Sequence, residues 1–509
     1  MKNGDVAEML ERAARILALR GENRYRVRAY RRAARAIAAE YRDIEILFRQ
    51  NKLQTLDGVG AGLAAKIKEI LHTGQLSLVE RLESGVLPEA GDSIILLASA
   101  LTLCTELIPE LEEIAGVSSV SPTGEVRRCR ETVERIELVM AVNDMSHARE
   151  ALARARRLHN QRFEGNLCLA VHSFGLPLSL YLVSEDDYVR TMWLTTGSEK
   201  HVSEVSALVR GNTGGNLVYQ NGKKHAISSE ADIYRLAGLP FIEPELREGR
   251  GESAAGLSGE LPVLIEAGDY KGDLHVHTDW SDGMASIEKM AEAAVELGYE
   301  YMAVTDHSRS LKIAKGLSLD RLAEQVKLIR KVQEKFPTLT ILTGIEADIL
   351  DDGTVDAPDE VLAGLDVVIA SIHSGFRQSS EKLTGRICRA MQNPHVMIVA
   401  HATGRLLGKR NAYAVDMDEV IRCAANTGTA LEINSSPDRL DINDLMAGQA
   451  RTAGVPVSIN TDAHSRLELA NVALGITVAR RGWLGSGDVI NTLGLDALHT
   501  FLKRKKAGA

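Results

Sequence analysis

Three regimes of hydrophobic patterning follow one another along this chain. Residues 1 to about 85 read as helical. From about 100 to 245, helical and strand-like stretches alternate, with strands expected at Glu131–Val142 and Leu178–Val183. From 270 onward short apolar runs, at 273–277, 301–307, 339–349, 366–373, 396–402, 430–434 and 455–460, are separated by helix-length segments. Seven such runs predict a parallel α/β domain, and their number and spacing suit a closed barrel related to the TIM type better than an open sheet. The Gly/Ser/Glu-rich stretch 249–269 shows little periodicity and reads as a linker.

Composition narrows the class. The chain has 509 residues, 45% hydrophobic and 25% charged, which is ordinary for globular domains and excludes a disordered, fibrous or disulfide-stapled miniprotein. No apolar run reaches the ~18 residues needed to span a membrane. The start, MKNGDVAEML, reads as an amphipathic helix and not a signal peptide. Five cysteines include no C-x-x-C pair, so neither a zinc ribbon nor a redox motif is expected, and a reducing cytoplasm is the default location. The net charge of −9 confines any nucleic-acid binding to a local patch, and 4% aromatics argue against an extended base-stacking platform.

One such patch stands out. Residues 20–35 hold seven arginines, among them Arg24, Arg28, Arg31 and Arg32, with Tyr25, Val27 and Tyr30 between them and almost no acid inside the run. A solvated helix face and a phosphate-facing surface are equally good readings. The hairpin Leu56-Asp57-Gly58-Val59-Gly60-Ala61-Gly62-Leu63 follows, with Lys66 and Lys68 just inside the next helix. Glycines there let backbone approach a ligand, and helix-start N–H groups face an anion. The pattern is that of a helix-hairpin-helix, a sequence-independent binder of DNA backbone, in preference to a mere tight turn.

Chemistry concentrates at the ends of the seven late runs. His275 and His277 end the first; Asp282 follows in WSDG. Asp306 and His307 end the second, Glu346 lies in the third, His373 and His401 end the fourth and fifth, and Asp462 and His464 follow the seventh. Of 14 histidines, seven lie between 275 and 464; His395, in a loop, is read as an ordinary polar residue. In a parallel barrel these strand ends converge on one face. Period 2 puts His275 and His277 on the same side. Mixed imidazole and carboxylate donors suit a multinuclear centre of Zn²⁺ or Mn²⁺, or of Fe²⁺. Asp306 is either a ligand or the partner that orients an imidazole. Arg405 is read as a phosphate clamp. Paired divalent ions activate water and clamp an in-line phosphoryl displacement, so phosphoester hydrolysis leads and metal-dependent amide hydrolysis is the alternative.

Motifs then point to a family. DLHVHTDWSDG, TDHS, GIEADI, SIHS, HATGR, EINSSPDRLD and NTDAH resemble a PHP (polymerase and histidinol phosphatase) domain. With NRYRVRAYRRAARAI, LDGVGAGLAAKI, VRRCRETVERIEL, TTGSEKH and GLPFIEPELREGRGE, the whole chain resembles bacterial family X DNA polymerases with a C-terminal PHP domain. The resemblance implies four parts: a helical DNA-binding domain (1–90), a nucleotidyltransferase-like palm and thumb-like remnant (91–248), the linker (249–269) and a distorted (β/α)7 PHP barrel (270–509). It implies two to three Mn²⁺ or Zn²⁺ ions held by His275, His277, Asp282, His307, Glu346, His373, His401, Asp462 and His464, and a 3′–5′ exonuclease or 3′-end-processing activity in DNA repair; Asp306 and Arg405, read from their own positions, are the candidate catalytic groups. Ala402 stands where the family usually has Pro.

The palm departs from the family pattern. Arg135 and Glu137 occupy the first two metal-binding aspartate positions, Ser179 the third, and Glu125 the position of a nucleotide-phosphate serine. A guanidinium repels Mg²⁺ and Glu125 repels a triphosphate, so Mg²⁺ is not expected in the palm and template-directed synthesis is expected to be lost or very weak. Leu87–Gly91 leads almost at once into the palm, where relatives carry a second hairpin and a fingers-like segment. Lys66 falls on a lyase-lysine position but is better read as a phosphate-binding lysine. The expected substrates are single-stranded ends and gapped or nicked duplex. The competing functions are an active gap-filling polymerase using Glu137 with Glu131 or Glu134, a small-molecule phosphoesterase of the histidinol-phosphatase kind, and a non-catalytic DNA-binding scaffold.

Overall fold

The computed structural model of the chain describes residues 1–19, 22, 24–83, 94–209, 212–214, 217–220 and 223–506. They divide into two compact units, Met1–Ser258 and Gly259–Ala509. Among the described residues, no helix is long and apolar enough to cross a membrane.

The first unit opens with helices Asn3–Leu19, Arg24–Ala39, Ile44–Arg49, Ala61–Thr73 and Ser77–Glu83. Their apolar stripes, including Leu10, Leu17, Tyr30, Ile37, Leu47 and Ile67, close over one core. Residues Leu87–Gly91 and the boundary expected near 90 lie outside the described residues. Next comes a five-stranded mixed sheet in the order Val117–Thr123, Ile136–Val142, Pro177–Val183, Leu167–His172, Leu158–Glu164, built on a second core with Leu138, Met140 and Leu180. The two central strands run parallel and set Glu137 opposite Ser179.

The expected linker is corrected in its first half. Residues Glu252–Ser258 form a helix, and Glu252 is fully buried. Its carboxylate accepts from the N–H groups of Gly249 (2.7 Å) and Arg250 (2.7 Å) and meets His201 Nδ1 at 2.8 Å. The other ring nitrogen of His201 meets the Tyr234 hydroxyl at 2.8 Å. Arg247, also fully buried, makes two 3.1 Å contacts to Glu230, which Arg127 clamps from its other side at 2.7 Å. TTGSEKH and GLPFIEPELREGRGE therefore lock the end of this unit through paired buried charges, and composition alone concealed it.

The second unit is a seven-stranded parallel sheet whose strands follow chain order, from Gly272–Val276 through Tyr301–Val304, Thr340–Asp348, Val367–Ser371, Ile398–Val399 and Ala430–Asn434 to Val457–Asn460. A parallel bridge between Val276 and Ala463 joins the last strand end to the first and nearly closes the barrel. The strands are buried along almost their whole length, as expected when helices cover a parallel sheet. Covering helices start on side-chain caps: Ser286, Ser318, Ser379, Asp416 and Asn443 each accept the N–H three residues ahead, contributing about 1 kcal/mol apiece. Cys388 and Cys423, on the neighbouring helices Ser380–Gln392 and Met417–Thr427, form a disulfide that spacing rules miss because 35 residues separate them.

Barrel closure leaves no room at Gly272, where a Cβ would lie 2.0 Å from the Tyr301 carbonyl oxygen of the paired strand. Gly272→Ala should cost about 3 kcal/mol, the upper range for overpacking. Hydrogen exchange at the Tyr301–Val304 amides measures it: faster exchange is expected, and unchanged protection would contradict the packing.

Candidate metal centre

Polar side chains at or just beyond the ends of the barrel strands gather at one rim. Glu346, fully buried on the third strand, stands at the middle. Its Oε2 lies 2.6 Å from His307 Nδ1 and 3.6 Å from Nε2 of both His275 and His277; its Oε1 lies 3.0 Å from His401 Nε2 and 3.4 Å from His373 Nε2. Asp462 Oδ1 approaches His277 at 3.1 Å and His275 at 3.8 Å, while Asp282 Oδ1 lies 3.2 Å from His464 Nε2 and 3.5 Å from His307 Nε2. All nine residues expected as ligands thus meet in one place. His401 and Asp462 reach it from left-handed backbone, at φ of +32° and +52°, a strain typical of functional sites.

Donor chemistry fits divalent ions. Several polar atoms here are buried with no hydrogen-bond partner: His277 Nδ1, His307 Nδ1, His464 Nε2 and Glu346 Oε2. His307 Nδ1 and Glu346 Oε2 come within 2.6 Å, and the Nε2 atoms of His275 and His277 lie 3.1 Å apart. Imidazole nitrogens and carboxylate oxygens converging this closely are the donor set of shared ligands. Three overlapping groups have metal-site spacing: His277, Asp282, His307 and His464; His275, His277 and Asp462; His307, Glu346 and His373. Burial and the neighbouring imidazoles of His464 and His307 push His277 down to about 3, so its ring is neutral at pH 7. Burial works against ionised Glu346, but His307, His373 and His275 hold its carboxyl well below the usual range.

An outer layer orients these rings and was not expected. Glu432 Oε1 lies 2.7 Å from His275 Nδ1, and the same carboxylate accepts from the His401 N–H and from Asn434 and Asn460. Asp348 Oδ1 meets His373 Nδ1 at 2.5 Å, and His464 Nδ1 donates to the Asp462 carbonyl. Such partners fix the tautomer and aim the other nitrogen inward. The pleat signalled Asp348, two residues from Glu346 and so on the same side.

Two expected catalytic groups are corrected. Asp306 is fully buried and accepts from the Thr278 N–H and hydroxyl, the Ser281 hydroxyl and Gln325 Nε2. As the neighbour of His307 it turns the opposite way and secures the loop after the first strand. Arg405 is not a phosphate clamp, because its guanidinium donates to the carbonyls of Arg439 and Leu440.

At the palm, Arg135, Glu137 and Ser179 come together as aligned. Arg135 Nη1 donates to Ser179 Oγ (3.3 Å), the Tyr181 hydroxyl donates to Glu137 Oε1 (3.0 Å), and burial pushes the Glu137 carboxyl up. Glu125 accepts the Glu134 N–H and pairs with Arg130 at 3.0 Å. In the hairpin, Gly58 takes φ +74°, and a Cβ there would meet the Arg32 side chain at 2.6 Å; Gly60 and Gly62 face open space. The helix that Gly60 caps has no side-chain cap. The acids missing from the arginine run come from other segments: Arg31 meets Glu11 at 3.4 Å, and Arg32 holds Asp57 by Nε (2.9 Å) and Nη2 (2.5 Å). Such exposed pairs are weak and open readily to a phosphate. Arg28, Lys66 and Lys68 are half-buried, Lys68 reaching Asn51 at 3.4 Å; the Arg24 side chain lies outside the described residues.

Comparisons with known proteins agree with this architecture. A helix-hairpin-helix domain family matches residues 1–76, and the PHP domain family matches residues 273–436. The DNA polymerase/3'-5' exonuclease PolX of Bacillus subtilis (strain 168) is 33% identical over 573 aligned positions, covering 99% of this chain and 100% of that protein. Since the chain has 509 residues, at least 64 of those positions face gaps here. A probable phosphatase of Thermoanaerobacter sp. (strain X514) is 28% identical over 245 residues, covering 46% of this chain and 95% of its own length.

Glu432→Gln keeps the shape but removes the charge behind His275. It should weaken Mn²⁺ or Zn²⁺ binding about 10- to 100-fold with the fold intact. Metal titration followed by calorimetry checks this; unchanged affinity would remove Glu432 from the centre.

Proposed function

The chain belongs to the bacterial family X DNA polymerases that carry a C-terminal PHP domain, and on that footing we propose that it is a DNA-binding, metal-dependent phosphoesterase that trims DNA 3′ ends, with template-directed synthesis lost. The observation that carries this reading is the contrast between two centres. The barrel rim gathers nine metal-competent side chains, while the palm offers a guanidinium, one carboxylate and a hydroxyl at the three corresponding positions.

In this reading His275, His277, Asp282, His307, Glu346, His373, His401, Asp462 and His464 hold two to three Mn²⁺ or Zn²⁺ ions. Such ions lower the pKa of water and neutralise charge on a phosphoryl group. The protein's own part is to fix those side chains through Glu432, Asp348 and the Asp462 carbonyl, and to hold the loop after the first strand through Asp306. Water attacks the terminal phosphodiester, a P–O bond to water forms, the bond to the 3′ oxygen breaks, and that oxygen leaves as a hydroxyl. The products are a 5′-mononucleotide and a shortened strand. Arg24, Arg28, Arg31, Arg32, Lys66, Lys68 and the hairpin glycines Gly58, Gly60 and Gly62 hold the DNA backbone of single-stranded ends, gaps or nicks. We place the protein in the cytoplasm, where such DNA is met in bacteria. The likeness to a probable phosphatase supports a second reading, phosphomonoester hydrolysis at the same rim.

With Mn²⁺, 5′-labelled single-stranded and gapped DNA should shorten from the 3′ end. His275→Ala/His277→Ala should reduce the rate more than about 100-fold, since loss of an outer partner alone costs 10- to 100-fold in such sites. Equal digestion by both proteins would refute the assignment, and hydrolysis confined to a small phosphomonoester would select the second reading.

Primer extension on a gapped duplex with Mg²⁺ and all four dNTPs is expected to give no template-dependent product. Arg135 would repel the ion that a palm aspartate binds in this family. Templated extension would overturn the loss.

A further inference from the structure

Arg439, in the loop after the sixth barrel strand, is the arginine that faces the centre. Its side chain is only 10% exposed, and its Nε lies 3.7 Å from Asp462 Oδ2, too far for a hydrogen bond. That Nε is buried without a partner. The facing oxygen of Asp462 already accepts from Asn434 Nδ2 at 3.2 Å, while the other oxygen points to His277 and His275. A buried guanidinium nitrogen left unbonded is costly, so an acceptor is missing from the arrangement.

The loop is built to hold this side chain still. Arg405 donates to the carbonyls of Arg439 and of Leu440, and Leu440 sits at φ +44°. Asp441, fully buried, accepts the Thr403 N–H at 3.1 Å. Arg410 and Lys409 are occupied nearby, by the Gly404 carbonyl and by Asp438. Arg439 brings a buried N–H that makes no hydrogen bond to the edge of the imidazole and carboxylate cluster.

We propose that Arg439 is the substrate-phosphate residue of this centre, donating to a non-bridging oxygen of the scissile phosphoryl group, and that Arg405 is its positioning residue. This rests on the phosphoesterase reading of the barrel. The ligand class is a phosphate mono- or diester, and inorganic phosphate as product occupies the same place. Arginine suits the task because its planar fork stays charged and matches phosphate oxygens, which a lysine does only as a point charge.

The test uses the full chain loaded with Mn²⁺ and compares wild type, Arg439→Gln and Arg439→Lys. Bound Mn²⁺ per chain, the dissociation constant of inorganic phosphate by calorimetry, and kcat and KM on 5′-labelled oligonucleotide are measured. Arg439→Gln should keep its metal content, bind phosphate about 10- to 100-fold more weakly, the range for one charge-assisted hydrogen bond, and raise KM more than it lowers kcat. Arg439→Lys should recover part of the phosphate affinity, and it carries the test should the glutamine variant not fold. Phosphate affinity within twofold of wild type in the variants, loss of metal on substitution, or no phosphate binding by wild type would each overturn the proposal. Arg439-dependent phosphate binding in a protein that leaves oligonucleotides intact would sustain the anion site while sinking the exonuclease reading.

Discussion

A single buried carboxylate governs the C-terminal unit. Glu346 has no solvent to share its charge, and burying an ionised carboxylate alone costs several kcal/mol even after relaxation. Five imidazoles from four strand ends of the barrel supply what water would have: His275, His277, His307, His373 and His401 all lie within 3.6 Å of its two oxygens. That arrangement exists only if the strands keep their order and the barrel closes at Val276 and Ala463. Closure, centre and outer acceptors therefore depend on one another. A shift of one residue in any strand would turn its histidine into the opposite compartment.

Much of this was legible in the sequence, for a physical reason. Strands of a covered parallel sheet are apolar along their length, so a histidine or acid at or near the end of such a run is conspicuous, and the nine side chains named from the sequence lie together. Asp306 misled because it adjoins His307, and adjacent strand residues face opposite sides. Arg405 misled because loop residues have no period to say where they point; the guanidinium facing the cluster belongs to Arg439, in a motif quoted for resemblance alone. Glu432 lay hidden inside an apolar strand, where one acid looks like an exception until its partners His275, Asn434 and Asn460 are seen. The stretch after residue 249 looked like a linker because glycine and serine dominate it, yet one buried pair, Glu252 with His201, is enough to order it.

The palm shows the same electrostatics turned round. In the barrel, carboxylates and imidazoles face each other, and a guanidinium stays at the edge. In the palm, a guanidinium enters the site itself and bonds to Ser179, while Glu137 is left among apolar strands with its carboxyl pushed toward the neutral form. The sheet keeps its order and register regardless, because Leu138, Met140, Leu178, Leu180 and Leu182 build its core. Acids gathered to bind Mg²⁺ repel one another and lose hydration, so they oppose folding until the ion arrives. Arginine and serine at two of these positions bring no such repulsion and leave the core untouched. The side chains at the metal positions and those that build the sheet's core are different residues, so changes at the former leave the latter untouched.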